Sequence, residues 1–337
     1  MHQNLISNAV SNIRNIIHLA IKHDVTKRAL VVYDTQNGLT NILTQAYRIV
    51  LPEATFVDFD SITKEEAKAQ FDSMNEGDLV VLIQTSNFML NAFRIRLHLF
   101  NKKLKVIEHM HLYRNSEDVW DVYINSLAYD PSWYITKGHA LKSKLENTKE
   151  LIIKGGNGIL TVKGELESPK LNVGDYTGMD NIGGTFPIGE VFTEAKDLST
   201  MNGSFFVYAF ADKEFNVNMN EPFRVEVESG IITSWDETIA PTEFREIIEM
   251  VRSEERAVIR EIGFGLNKSI TKERYLQDIT AFERILGMHL SLGEKHGTYK
   301  KDGIVVAKSK YHIDLFPVVD EVLADGEAIF KDGVYLL

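Results

Sequence analysis

The amino-acid sequence predicts an α/β protein, in which an N-terminal domain with a parallel sheet is followed by a mixed α+β domain. Short β-rich runs alternate with helical stretches in the first 150 residues, a pattern typical of a parallel sheet. The later residues form pairs of β-rich runs joined by glycine turns. A length of 337 residues also favours two domains. We therefore predict one domain at 1–150 and a second at 151–337.

The N-terminal half begins with apolar residues at helical intervals between residues 5 and 21, which predicts a helix with one core-facing side. Four predicted strands follow, ALVVY at 29–33, TFVDF at 55–59, DLVVLIQ at 78–84 and LKVIEHM at 104–110. Open α/β sheets bind ligands in the turns after such strands. No glycine fingerprint accompanies these turns, so no nucleotide site is predicted. The DPSWY segment at 130–134 indicates a turn before a helix that runs to about residue 147.

The C-terminal half begins with LIIKGGNGILTVKGE, which predicts a β-hairpin. No helix follows its glycines, so they favour a turn over a phosphate-binding loop. Residues 203–233 predict further strands, with a bend at Gly230. Pro241 precedes TEFREIIEMVRSEERAVIRE, whose apolar residues recur on one side and predict a long helix.

Composition excludes several classes of function. The chain has no cysteine, which excludes disulfides, thiolate zinc sites, iron–sulfur clusters and cysteine nucleophiles. Any metal ion must therefore be bound by oxygen and imidazole. The net charge of −11 without a basic block argues against nucleic acid as a partner. Neither a signal peptide nor an apolar run of the ~20 residues that a membrane span needs is found, so we expect no membrane partner and a cytoplasmic location.

Two histidines are candidate metal ligands. His312 and Asp314 are two residues apart in the predicted strand SKYHIDLF, so both side chains face the same way and can bind one divalent ion. A surface ion pair would give the same pattern. His289 lies in the apolar segment FERILGMHLSLG, where a buried imidazole needs a polar partner, such as a backbone carbonyl or a metal.

Three glutamates accompany these residues. On an unbroken helix Glu283 and His289 would be about 120° apart, so only a break at Gly287 lets them share an ion. Glu261 ends the predicted long helix and enters a glycine-spaced apolar run, where a carboxylate must be paired or bind a ligand. Glu190 follows Pro187 and Gly189, and its chemistry alone leaves a turn carboxylate and a ligand equally open.

These segments together resemble the aminopeptidase T and aminopeptidase S family of metalloaminopeptidases. TFPIGEVFT, EIGFGLNKSI, FERILGMHLSLG, SKYHID and DGEAIFKDGVYL occur in the family's order over about residues 180–337. The resemblance implies a C-terminal catalytic domain of aminopeptidase T type, with two ions of zinc, cobalt or manganese per chain. The implied metal ligands are Glu190, Glu261, Glu283, His289, His312 and Asp314.

The activity that this resemblance implies is removal of N-terminal residues from small peptides by a metal-activated water molecule, in a homodimer. A glutamate beside the ions can transfer the proton, and Glu261 is the candidate base. The family's catalytic tyrosine has no equivalent at the matching place. His296 stands there, with Tyr299 just beyond, so His296 joins Glu261 as a candidate catalytic residue.

The same region also resembles the related 2,5-dihydroxypyridine dioxygenases, which cleave the ring of a small aromatic molecule. In this alternative His289, His312 and Asp314 hold a single Fe(II) and leave positions for oxygen and substrate. His109 and His111, in IEHMHLY, could then act as bases on a hydroxylated ring. Alternatively, one of these two histidines is exposed and the other is packed at the end of a strand.

Overall fold

The computed structural model describes residues 2–90, 94–305 and 307–337. The helices are α1 His2–Asn15, α2 Gly38–Val50, α3 Lys64–Asp72, α4 Ile95–Asn101, α5 Trp120–Ser126, α6 Pro131–Glu146, α7 Thr242–Arg252 and α8 Ile279–Phe282. The strands are β1 Ala29–Tyr33, β2 Thr55–Asp58, β3 Leu79–Ile83, β4 Lys105–His109, β5 Glu150–Gly155, β6 Gly158–Lys163, β7 Lys170–Asn172, β8 Ile182–Thr185, β9 Glu190–Thr193, β10 Met201–Ala211, β11 Val217–Glu228, β12 Ile231–Trp235, β13 Ile259–Gly265, β14 Gly287–Leu292, β15 Ile313–Pro317, β16 Glu321–Ala324, β17 Glu327–Lys331 and β18 Val334–Tyr335.

Contacts between residues divide the chain into two compact units. The first comprises Met1–Ile135, Gly174–Ile188 and Ser269–Ala281, and the second comprises Thr136–Val173, Gly189–Lys268 and Phe282–Leu337. The chain leaves the first unit and returns to it twice, whereas the sequence predicts a single boundary. The pair of domains at 1–150 and 151–337 stays a prediction.

The first unit contains a five-stranded parallel sheet in the order β2-β1-β3-β4-β8. The four β-rich runs of the N-terminal half form β1 to β4, as predicted. All five residues of β3 are buried, which is expected where helices cover both faces of a parallel sheet. None of the helices in the described parts of the chain combines the length and apolar composition that a bilayer crossing needs.

A buried carboxylate joins the turns that follow β1 and β3. Asp34 is 3% exposed, and it accepts hydrogen bonds from the backbone N–H of Thr85 at 2.6 Å and from the Thr85 hydroxyl. It also accepts from the N–H of Gln36 at 3.1 Å. The carboxyl ends of these neighbouring strands are therefore fixed to each other by one side chain.

The second unit contains a thirteen-stranded sheet in the order β18-β17-β16-β5-β6-β10-β15-β14-β13-β9-β7, and β11 and β12 continue from β10. All of its strand pairs are antiparallel. The predicted hairpin is β5 and β6, with Gly156 and Asn157 at positive φ, the conformation that a two-residue hairpin turn needs. The structure is thus a mixed α/β fold with one parallel and one antiparallel sheet.

Two predicted element boundaries are wrong. The helix predicted over 242–261 ends at Arg252, because the following polar residues are mostly exposed and the next apolar run forms β13. Glu261 therefore lies inside a strand and not at the end of a helix. The DPSWY segment is not a turn before a helix, since α6 begins at Pro131. Proline is favoured at the first helical position, where its missing N–H costs nothing.

We predict that Asp34→Ala lowers the free energy of unfolding by about 1–3 kcal/mol, because it leaves the buried N–H of Thr85 without its acceptor. Urea denaturation measures this change. Asp24→Ala is the matched control, since the carboxylate of Asp24 accepts the same pair of bonds from Thr26 at an exposed turn. Equal losses from both substitutions would contradict the role of Asp34.

Candidate metal centre

Neighbouring strands of the second unit align the candidate residues in rows. Glu261 on β13 is paired with Ser291 on β14, and Ser291 is paired with Asp314 on β15. Paired residues on adjacent strands face the same side of a sheet. His289 precedes Ser291 by two residues, so it faces that side as well. The sequence could not reveal this row, because it depends on the register of three strands.

Two glycines of β13 leave room above the sheet. Gly263 is paired with His289, and a Cβ on Gly263 would lie only 2.0 Å from the imidazole Cε1. A Cβ on Gly265 would lie 1.9 Å from the carbonyl oxygen of Ile285. Glu190, the first residue of β9, pairs with Gly265 from the other side. Because Gly263 and Gly265 carry no side chain, the imidazole of His289, the turn at Ile285 and Glu190 can all lie close to β13.

The break that the sequence analysis requires near Gly287 is present. Helix α8 ends at Phe282 and β14 begins at Gly287, so Glu283 lies in the turn between them. The turn is fixed to the rest of the unit, since the N–H of Asn267 donates to the carbonyl of Arg284 at 2.9 Å. Glu283 and His289 are consequently brought together, which an unbroken helix would prevent.

Two overlapping groups of side chains offer closely spaced ligand atoms. In each group one atom from every member lies within 4.8 Å of the others. The groups are Glu190, Glu261 and His289, and Glu283, His289 and Asp314. His289 belongs to both, so its imidazole is the centre of the arrangement.

The imidazole of His289 contacts two carboxylates. Its Nε2 lies 3.2 Å from Oε1 of Glu261 and 3.3 Å from Oε1 of Glu190. Its Nδ1 is buried and has no hydrogen-bond partner among the described residues. Burial favours the neutral ring, but the hydrogen bond to Glu261 and the charges of Glu190 and Asp314 raise the pKa of His289 to about 9.

Glu261 is held by a second imidazole. Its Oε2 lies 2.8 Å from Nε2 of His296, while Nδ1 of His296 accepts the backbone N–H groups of Thr298 and Tyr299 at 3.0 and 3.2 Å. Because Nδ1 is an acceptor, Nε2 carries the hydrogen and donates to the carboxylate. Burial would raise the pKa of Glu261, yet the hydrogen bonds from His289 and His296 lower it well below its usual range.

A buried arginine that the sequence analysis missed lies among these acids. Nη1 of Arg284 is 2.5 Å from Oε2 of Glu190 and 2.7 Å from Oε1 of Glu283. Burial raises the pKa of both glutamates, that of Glu283 to about 8, and the guanidinium charge opposes this effect. The signal in the sequence is a charged pair inside the apolar segment FERILG, where each charge needs a partner.

His312 lies at the margin of the centre. Its half-buried ring places Nε2 3.4 Å from Oδ1 of Asp314, and the Ser291 hydroxyl donates to the same oxygen at 2.6 Å. Burial would lower the pKa of His312, but its hydrogen bond to Asp314 raises it to about 10. The strand predicted for both residues does not include His312, because β15 begins at Ile313, but the ring still lies beside Asp314. His312 belongs to neither of the two close groups.

The N-terminal histidines belong to the first unit. His109 is fully buried, with its Nε2 2.8 Å from the Tyr47 hydroxyl and its Nδ1 2.9 Å from the Tyr123 hydroxyl. Burial lowers its pKa to about 3, so His109 is a neutral core residue. This agrees with the interpretation that one of the two histidines is packed at a strand end. His111 contacts the buried carboxylate of Asp278 at 3.3 Å.

Fold and site together define a mixed α/β protein whose antiparallel sheet carries a buried cluster of carboxylates, imidazoles and one guanidinium. No protein-family model matches the chain, and no curated protein sequence matches it significantly. Solved structures do match: the 2,5-dihydroxypyridine dioxygenase from Pseudomonas putida KT2440 is 15% identical, with 98% of this chain and 97% of that chain covered and a TM-score of 0.66.

Wild-type AmpT from Thermus thermophilus is 12% identical, with 98% of this chain and 99% of that chain covered and a TM-score of 0.62. At such identities the similarity establishes the fold. The resemblance to the aminopeptidase T family and to the dioxygenases, which the motifs predict, is thus confirmed at the level of the fold.

We predict that Gly263→Ala weakens Co²⁺ binding by about tenfold or more, because the new methyl group displaces the imidazole of His289 from its place on β13. Isothermal titration calorimetry measures the affinity. Gly297→Ala is the matched control, since a Cβ at this nearby glycine meets no atom within 4 Å. Unchanged Co²⁺ affinity in Gly263→Ala would show that the ring of His289 is not a ligand.

We also predict that Co²⁺ binding becomes tighter as the pH rises. With pKa values of about 9 and 10, His289 and His312 are protonated at neutral pH, and metal ions bind only neutral imidazole. Each imidazole that becomes a ligand must release a proton, so the affinity should rise by up to about tenfold per pH unit and per proton below these pKa values. Calorimetry in buffers of different ionisation enthalpy counts the protons, and a count of zero would contradict the prediction.

Proposed function

We propose that this chain is a metal-dependent hydrolase that acts on small peptides or related amides, with Glu261 as the general base. The observation that carries the proposal is the position of the Glu261 carboxylate. One oxygen faces the close group around His289 and the other is bonded to His296. A base for hydrolysis needs such a fixed orientation beside the ion that activates its water molecule.

The donor set suits a divalent ion. Carboxylate oxygens and imidazole nitrogens are ligands for zinc, cobalt or manganese. Glu190 and Glu261 are buried close together, with Nε2 of His289 between their Oε1 atoms, so an ion bound there would take the place of the proton on that imidazole. Glu190 and His289 would hold the ion, with Glu283 and Asp314 on the other side of the same imidazole, and Glu261 would lie beside the ion as the base. A bound ion would polarise a substrate carbonyl and lower the pKa of a water molecule.

Glu261 and His296 then have separate roles in the proposed reaction. Glu261 is ionised at neutral pH, because its hydrogen bonds keep its pKa low, so it can accept a proton. His296 keeps the Oε2 of Glu261 in place through an imidazole whose tautomer is fixed by two backbone N–H groups. His296 is therefore proposed as a positioning residue rather than as a replacement for the family's tyrosine.

A mononuclear iron oxygenase is the second candidate. It is favoured by one observation, the engagement of Glu190 and Glu283 by Arg284, which leaves His289, His312 and Asp314 as a possible facial triad. The place of His312 outside both close groups favours the hydrolase.

We predict that Glu261→Gln lowers peptide turnover by about 100-fold or more, because the amide cannot accept a proton. Initial rates on a set of dipeptide amides measure the effect, and elemental analysis of each variant verifies its metal content. Glu108→Gln is the matched control, since Glu108 is a buried glutamate of the first unit that pairs with Arg96.

Turnover retained by Glu261→Gln would refute the assignment of the base. Dioxygen consumption that requires Fe(II), together with no hydrolysis of any amide, would instead establish the oxygenase. A protein that binds no divalent ion would exclude both candidates.

A further inference from the structure

We propose that Arg284 takes the place of the second metal ion, so that the centre binds one divalent ion per chain. The inference rests on the proposed metal-dependent function and deepens it. The aminopeptidase resemblance implies two ions and assigns no role to Arg284, although this residue lies within the motif FERILGMHLSLG.

The contacts of a single nitrogen atom carry the inference. Nη1 of Arg284 is bonded both to Oε2 of Glu190 and to Oε1 of Glu283. These two carboxylates are among the six implied metal ligands. A cation that joins these oxygen atoms is thus already supplied by the chain, and the remaining oxygen of Glu190 faces His289.

A guanidinium and a second ion cannot share these oxygens. Metal–oxygen distances are about 2.0–2.2 Å, so an ion bound to the same two oxygen atoms would take the space of Nη1. Arginine does not lose its proton in proteins, so its charge is permanent. In a buried site the repulsion between that charge and a neighbouring ion is only weakly screened.

The position of Arg284 is fixed by the backbone. Its carbonyl accepts the N–H of Asn267, and the next residue, Ile285, lies directly against Gly265. The turn that carries Arg284 therefore lies on β13. Its side chain is 9% exposed, so it lies within the protein rather than in solvent.

The ligand groups also suit a single ion. Both close groups contain His289. An ion bound to this imidazole therefore leaves only carboxylates as ligands in the other group.

Counting ions tests the inference. The protein is stripped of metal, loaded with Co²⁺, desalted and analysed for cobalt. We expect one ion per chain in the wild type and two in Arg284→Met, because the freed Glu190 and Glu283 then need a cation. Adding Glu283→Gln to Arg284→Met should return the count to one, because Glu283 belongs to the other close group. The stability of each variant is followed by its Tm with and without Co²⁺, since bound metal stabilises the folded state.

Two controls separate charge from folding. Arg284→Lys keeps a positive charge and should still bind one ion. Arg114→Met removes an arginine of the first unit whose side chain is largely buried and pairs with Asp278, and it should also bind one ion.

Two ions in the wild type, or one ion in a folded Arg284→Met, would overturn the inference while leaving the metal-dependent function intact. If Arg284→Met does not fold, the wild-type count and Arg284→Lys still decide, because two ions in either would overturn it. No cobalt in any variant would refute the metal-dependent function itself.

Discussion

Burial of negative charge is the constraint on which this centre depends. Carboxylates inside a sheet are costly unless each meets a positive charge or a hydrogen-bond donor. Here every one does: Glu261 meets two imidazoles, Glu190 and Glu283 share one guanidinium, and Asp314 meets Ser291 and His312. The acids and their partners come from different strands and turns, so the cluster exists only when β9, β13, β14 and β15 are in register.

Much of the fold follows from local patterns. The strands β1 to β4 and the hairpin of β5 and β6 could be predicted, because apolar runs and glycine turns are signals within a few residues. The end of α7 could not. All seven residues of β13 are buried, including Arg260 and Glu261, so the run has no alternation of polar and apolar residues that would distinguish a strand from a continued helix.

The candidate site was predictable to a similar degree. The spacing of His312 and Asp314 predicts one strand for both, whereas β15 begins only at Ile313; the requirement for a break at Gly287 follows from helix geometry. Arg284 could not be identified, because its partners are set by how the turn after α8 lies on β13 and by the pairing of Glu190 with Gly265. Resemblance supplied the position of His296, while its fixed tautomer depends on the backbone N–H groups of Thr298 and Tyr299, whose positions follow from the fold.

The adjacency of Glu283 and Arg284 affects how the acidic cluster is compensated during folding. Because both charges enter the fold in one turn, the acidic cluster acquires a counter-charge as soon as that turn docks on the sheet. Small zinc domains, by contrast, stay unfolded until their ion arrives. The guanidinium of Arg284 therefore compensates Glu190 and Glu283 within the fold itself, so the proposed ion is not required for that part of the cluster.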